Sequence, residues 1–179
     1  MSLAVRPARV QDADAVARLR VETWHAAYRG LVPDEVLARL DAASEAARRV
    51  ERWDQTHADP RTCDLVAEVD GEVVGWACAG PVPTDGPGDP ADPALGRLHA
   101  LYVHAEHWGT GTGHALIEAA TVGLRSAGFA RAELWVLEGN DRAARFYERH
   151  GWHEDGATLE DTRFLPGHVL HERRRVRAL

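Results

Sequence analysis

At 179 residues, with 45% hydrophobic and 27% charged side chains, the chain has the size and balance of a single globular domain spanning 1–179, which excludes a disordered or fibrous protein. Its net charge of −7 argues against nucleic acid as the main partner, since a polyanion needs a basic face. No apolar run approaches the ~20 residues that span a bilayer and the opening residues hold no signal core, so no membrane partner and a cytoplasmic location are expected.

In chain order, Leu3 to Pro7 reads as a short strand, and Asp12 stands where it would cap a helix with Val16, Leu19 and Thr23 on one face and Val21, Trp24 and Tyr28 on the next. Gly30 ends that helix, Pro33 opens a second with Val36, Leu37 and Leu40, and Ser44 caps a third running to about Trp53. Leu65, Ala67 and Val69 alternate, Asp70-Gly71 supplies a tight turn and Val73 to Ala79 returns, which is a hairpin pattern. Pro81 to Pro93, crowded with Pro, Gly and Asp, reads as a loop, and Arg97 to Val103 as the next strand. A helix from His114 to Ala127 turns Leu116, Ala119, Ala120 and Leu124 inward and stops at Gly128; Ala132, Leu134 and Val136 then complete a βαβ unit. Asn140 caps a last short helix through His150, Gly151 closes it, and Trp152 to Ala157 and Val169 to Val176 supply two final strands. The terminal run Arg173-Arg174-Arg175-Val176-Arg177-Ala178 reads as an edge strand with its charges in solvent.

The basic residues other than His are all Arg, which removes Schiff-base and P-loop lysine chemistry. Cys63 and Cys78 form neither a disulfide framework nor a zinc spacing. His pairs spaced by three, at 104/107, 150/153 and 168/171, lack a carboxylate or Cys arrangement that would complete a metal set, so no metal is expected.

Chemistry concentrates in His107-Trp108-Gly109-Thr110-Gly111-Thr112-Gly113-His114, between a strand and a helix. Alternating glycines let successive N–H groups turn toward one point beside a helix N-terminus, which makes an anion site. A Rossmann fingerprint fails, because His114 or Leu116 falls where its third glycine belongs.

This segment resembles motif A of the GCN5-related N-acetyltransferases (GNAT), bacterial branch, with Gly111 and Gly113 matching and Trp108 standing where the family usually has Arg or Gln. Leu98 to Val103 looks like that family's fourth strand, Trp135 to Trp152 resembles its motif B, and Trp24 to Pro33 is similar to its acceptor-side helices. The resemblance implies an α/β (α+β three-layer) fold: a mixed, mostly antiparallel sheet of six to seven strands flanked by helices, splayed into a V between the fourth and fifth strands. It implies acceptor-side helices at 12–55, an acetyl-CoA core at 63–152 and C-terminal strands at 152–177. The implied activity is direct transfer of an acetyl group from acetyl-CoA, as co-substrate, to a primary amine of a small molecule, peptide or protein. A non-catalytic acyl-CoA-binding sensor is the alternative from another class, and a homodimer is compatible with the resemblance.

Carried over residue by residue, the cofactor would contact Leu101, Tyr102, Val103, Trp108, Gly109, Thr110, Gly111, Thr112, Gly113, His114, Asn140, Arg142, Ala143, Phe146 and Tyr147. Backbone N–H groups of Leu101 and Val103 would meet the carbonyl oxygen, and Tyr147 would protonate the leaving thiolate. Where relatives often place a Glu, Arg97 stands instead. Strand alternation puts His99 on a face with Arg97 and Leu101, which makes it the leading base, with a water chain to Glu22 or to solvent as the alternative. Trp24, Tyr28 and Arg29, beside Asp85, Asp89 and Asp92, outline an acceptor cleft with a negative rim that would attract a cationic amine.

Overall fold

A computed structural model describes residues 2–84, 92–162 and 167–179. β1 (Leu3–Pro7) leads through a 3-10 turn at Val10–Asp12 into α1 (Ala13–Ala27), α2 (Asp34–Leu37), α3 (Ala42–Glu51) and α4 (Trp53–Thr56). β2 (Cys63–Val69), β3 (Glu72–Pro81) and β4 (Leu95–Val103) follow, then α5 (Thr112–Ser126), β5 (Arg131–Leu137), α6 (Asp141–Arg149), β6 (His153–Asp161) and β7 (Leu170–Ala178). The seven strands make one sheet in the order β1-β2-β3-β4-β5-β7-β6. Every pair is antiparallel except β4 with β5, which is the crossover that α5 spans.

The hairpin turns where two residues tolerate positive φ, Asp70 at 52° and Gly71 at 91°. α5 is the helix that fastens the sheet: Leu116, Ile117, Ala120, Thr121 and Leu124 fall on one face by helical spacing and are all buried. They pack on a floor of small residues, Ala67, Ala77 and Ala79. Gly75 belongs to that floor for a steric reason, since a Cβ there would lie 2.7 Å from Leu116 Cδ1. Burying a side chain such as Leu116 contributes roughly 1.5–3 kcal/mol. A second cluster, around Trp24, Val36, Leu37, Leu137 and Leu170, holds α1 and α2 against the opposite face. Among the described residues, no helix is long and apolar enough to cross a membrane.

Three local expectations are corrected. Asp12 does not cap α1 through its side chain; its carboxylate accepts from Arg9 N at 2.7 Å and pairs with Arg6, capping the 3-10 turn one step earlier. α3 is capped by Asp41, whose carboxylate accepts from Ser44 N at 2.8 Å, so Ser44 lies inside the first turn. β7 is not an edge strand: β6 covers its outer side. Three of its arginines are paired, Arg173 with Glu138, Arg174 with Asp155, and the buried Arg175 with Glu148 and Glu154, both at 3.1 Å.

The feature that makes a site is the parting of β4 from β5. They pair over three positions only, Leu95↔Arg131, Gly96↔Ala132 and Arg97↔Glu133, and separate beyond. At the last of these Arg97 Nε donates to Glu133 Oε1 at 2.9 Å, both side chains being buried, while Arg174 Nη1 reaches Glu133 Oε2 at 3.2 Å. The apex of the V is thus tied by a carboxylate held between two guanidiniums.

Candidate active site

Gly109 and Gly111 adopt left-handed backbone at φ 78° and 95°, a conformation that costs an ordinary L-residue roughly 1–2 kcal/mol. Among the described residues, the N–H groups of Gly109, Thr110 and Gly111 make no backbone hydrogen bond, and the first bond of α5 runs from Ala115 N to Gly111 O at 2.9 Å. The N–H groups of Thr112, Gly113 and His114 therefore have no intrahelical acceptor, and they sit at the positive end of a 15-residue helix. Thr110 and Thr112 brace this loop from behind: the Thr110 hydroxyl donates to His107 O at 2.8 Å and lies 3.1 Å from the Thr112 hydroxyl. Neither side chain lines the cleft, so their expected contact with the cofactor falls to their N–H groups.

Trp108 does not take the place of the cation that relatives carry there. Its indole turns inward, Nε1 donating to Val103 O at 2.7 Å. Arg142 of α6 lies over the ring, its guanidinium carbon 3.3 Å from the ring centroid. A guanidinium reaches the phosphate loop after all, from another element.

The open edge of β4 supplies donors. His104 N donates to Val74 O at 2.9 Å, and antiparallel alternation then points the N–H groups of Tyr102 and Ala100 at β3. Those of Leu101 and Val103 point the other way, into the wedge that β5 has left. The register slips at His99: Cys78 is opposite Ala100 while Ala79 is opposite Leu98, making His99 the bulged residue. Alternation therefore does not carry through it, and Leu101 packs with Leu98 on the α5 side, not on a common face with His99. His99 itself lines the cleft, where one side of its ring meets solvent while the surrounding walls crowd the rest, and this partial desolvation, then the neighbouring Arg97, push its imidazole down to about 4, against a hydrogen bond with the Pro81 backbone. Glu22 lies outside the cleft and faces His104, 3.3 Å away.

α6 closes the wedge. Asn140 caps it, its side-chain oxygen accepting from Ala143 N at 3.2 Å, and both residues line the cleft. Phe146 slides under the loop, so close that a Cβ on Gly113 would lie 3.3 Å from its ring. Tyr147 follows, half-buried, with its ring against Phe146 and Trp152. Burial, and then Tyr102, raise its hydroxyl well above the ordinary phenol value, with Arg142 opposing, so the group stays protonated at neutral pH.

On the acceptor side Trp24 Nε1 donates to Tyr102 Oη at 3.1 Å, Tyr28 meets Trp24 edge-on at 4.8 Å, and Tyr102 stacks on Trp76 at 5.8 Å. Arg29 does not line the cleft, and Asp92 is turned away to pair with Arg131 and accept from Ala94 N. Asp85 and Asp89 lie outside the described residues. The negative rim is not what the described walls present. α3 and its C-cap instead contribute Arg48, Arg49 and Arg52, all within about one helical turn. Arg49 is anchored by Asp64 at 2.6 Å, and Asp64 also accepts from Trp76 Nε1 at 2.6 Å and contacts His57 at 3.1 Å, so a buried carboxylate fixes α3 to the sheet. Asp161 and Glu172, on β6 and β7, also line the cleft. An arginine stripe on α3 was readable in the sequence; the carboxylates, separated from every motif, were not.

Loop, wedge and acceptor wall open into one cleft of about 1500 Å³. The profile of the Acetyltransferase (GNAT) family matches residues 21–152. The N-acetyltransferase Mb2688 of Mycobacterium bovis is 32% identical over 146 residues, covering 81% of this chain and 85% of that protein. The N-acetyltransferase YuaI of Bacillus subtilis is 26% identical over 136 residues, covering 76% and 72%. Among solved structures, the PaiA N-acetyltransferase of Thermoplasma acidophilum in complex with coenzyme A superposes with a TM-score of 0.77 at 16% identity, covering 100% of both chains. YncA of Salmonella typhimurium with acetyl-CoA gives 0.70 at 19% identity, covering 100% of this chain and 95% of that one. The chain belongs to the GNAT acetyltransferase family and is an acetyl-CoA-dependent N-acyltransferase.

Proposed function

We propose that the protein acetylates an amine of a small molecule or peptide that also carries an acidic group, by direct attack on a thioester held in the β4–β5 wedge. The observation that carries this reading is the meeting, in one cleft, of the phosphate loop, the outward N–H groups of Leu101 and Val103, and Tyr147. The dimensions and chemistry of the cleft fit acetyl-CoA: free N–H groups and Arg142 for its phosphates, an unpaired strand edge for its pantetheine arm. Acetyl-CoA supplies the activated acetyl group. The protein's share is mostly positioning and charge. Leu101 and Val103 donate to the carbonyl oxygen as its charge grows, and Tyr147 holds the proton that goes to the sulfur as the C–S bond breaks.

The acceptor must arrive as a free amine. Arg48 and Arg52, which among the described residues are not held by a buried carboxylate as Arg49 is by Asp64 and Arg97 by Glu133, disfavour an ammonium ion on their side of the cleft, which lowers the demand on a base. His99, neutral at physiological pH, holds a lone pair ready to take the proton released when the C–N bond forms. The same arginines favour an acceptor with a carboxylate or phosphate.

Free-thiol release from acetyl-CoA against an amine panel tests this. Amines bearing a carboxylate or phosphate should turn over with at least tenfold higher kcat/KM than polyamines, and Arg48→Gln with Arg52→Gln should erase the preference mainly through KM. Polyamines as the best acceptors, unaffected by the double variant, would contradict the assignment of acceptor charge. Binding of acetyl-CoA without turnover of any amine would support the sensor reading instead.

A further inference from the structure

His114 and His150 are 36 positions apart in sequence, and the fold brings them together at the edge of the cleft. Nδ1 of His114 lies 3.0 Å from Nε2 of His150. Glu118, one turn beyond His114 on α5, brings a carboxylate to the same place, and the three ligand atoms all lie within 4.8 Å of one another. Among the described residues no other three His, Cys, Asp or Glu side chains gather this closely.

The His150 ring is oriented by its far nitrogen. Nδ1 lies 2.8 Å from the Phe146 carbonyl oxygen, and the ring packs on Phe146 with centroids 4.4 Å apart. A nitrogen bonded to a carbonyl carries the proton, so the Nε2 lone pair is the one aimed at His114. Metal-bound imidazoles are held in this way, with the remote N–H on a backbone carbonyl. In a tetrahedral site with metal–nitrogen distances of about 2.0–2.1 Å, two imidazole nitrogens stand about 3.3 Å apart, a small adjustment from the separation here. The Glu118 carboxylate, with an oxygen within 4.8 Å of both nitrogens, is the third donor.

We propose that His114, Glu118 and His150 form a binding site for a zinc-class divalent cation, with the fourth position open to water. Two imidazoles and one carboxylate select zinc, or a neighbouring transition metal, over magnesium and calcium, which prefer oxygen ligands. The site joins the first turn of α5 to the C-terminal end of α6. α6 has no fully buried residue, yet it carries Asn140's cap, Phe146 and Tyr147, so a cation there clips the helix bearing the proposed acid to the phosphate loop. The site rests on these three side chains and does not depend on acetyl transfer, although His114 and His150 also line the cleft.

The test is titration of the EDTA-stripped full chain with ZnCl2, and with MgCl2 as control, by calorimetry and thermal melting. One zinc per chain should bind, raising the melting midpoint by several degrees at saturation, while magnesium leaves it unchanged. His150→Gln and Glu118→Gln should bind zinc at least tenfold more weakly; Glu118→Gln, on the surface, keeps the fold as the second variant. Co2+ substituted into the wild type should give the visible spectrum of a four-coordinate site, and lose it in His150→Gln. Absence of zinc binding to the wild type, or wild-type affinity in both variants, would overturn the proposal and leave a plain His–His hydrogen bond.

Discussion

His99 is held well below its ordinary imidazole value, because a bulge swings it out of register and sets it, crowded by protein, beside Arg97. Its folded-state value, about 4, lies below the ordinary 6.5. Between those pH values the unfolded chain takes up a proton that the folded chain refuses, so this group's contribution to stability is present above about pH 6.5 and is lost as pH falls toward 4. His99→Gln should remove that pH dependence: the wild-type melting midpoint minus the variant's should fall steadily from pH 7 to pH 4. Parallel curves would place His99 in ordinary solvent. The bulge also marks what a sequence reader could see. The loop glycines at 109 and 111 were legible because positive φ demands glycine. Arg142 over Trp108 was not, since nothing in the spacing of two residues 34 positions apart reveals a stacked ring.

At the scale of elements, the V depends on a small knot of charge. Glu133 is wholly buried between Arg97 and Arg174 at the last paired register of β4 and β5. Removing the carboxylate takes the Glu133 charge away from both the buried Arg97 and the half-buried Arg174, and breaking a buried pair from one side costs roughly 3–5 kcal/mol. Urea denaturation of Glu133→Gln should show that loss, and Glu133→Leu combined with Arg97→Met should recover most of it, with Arg174 free to keep Asp155. A single variant within about 1 kcal/mol of wild type, judged against the same mutational scale, would show that the knot does not hold the apex. Element types and order were readable from periodicity and turn residues, down to the Asp70-Gly71 hairpin. The placement of β7 was not: an arginine-rich strand looks like an edge until the acids that neutralise it, Glu138, Glu148, Glu154 and Asp155, are folded beside it. Local pattern sets a strand's two faces, but its neighbours come from topology.

In the whole molecule, α5 and the sheet form the buried core, and the cleft lies between this core and the helices α1, α3 and α6. The cofactor half of the site was visible in sequence because backbone geometry constrains it to glycines and a capped helix. The acceptor half was misread where Arg29 and Asp92 were placed on it, because nothing local to those residues says which way a surface side chain turns. Stability and catalysis separate cleanly at Tyr147, which lines the cleft with its hydroxyl kept protonated by burial. The most direct measurement is free-thiol release by Tyr147→Phe beside its thermal shift with acetyl-CoA. With Tyr147 as the acid, kcat falls by roughly 10²–10⁴ while the acetyl-CoA-induced shift stays that of the wild type. An unchanged kcat, or a fall in kcat matched by loss of the shift, would show that Tyr147 does not deliver the proton.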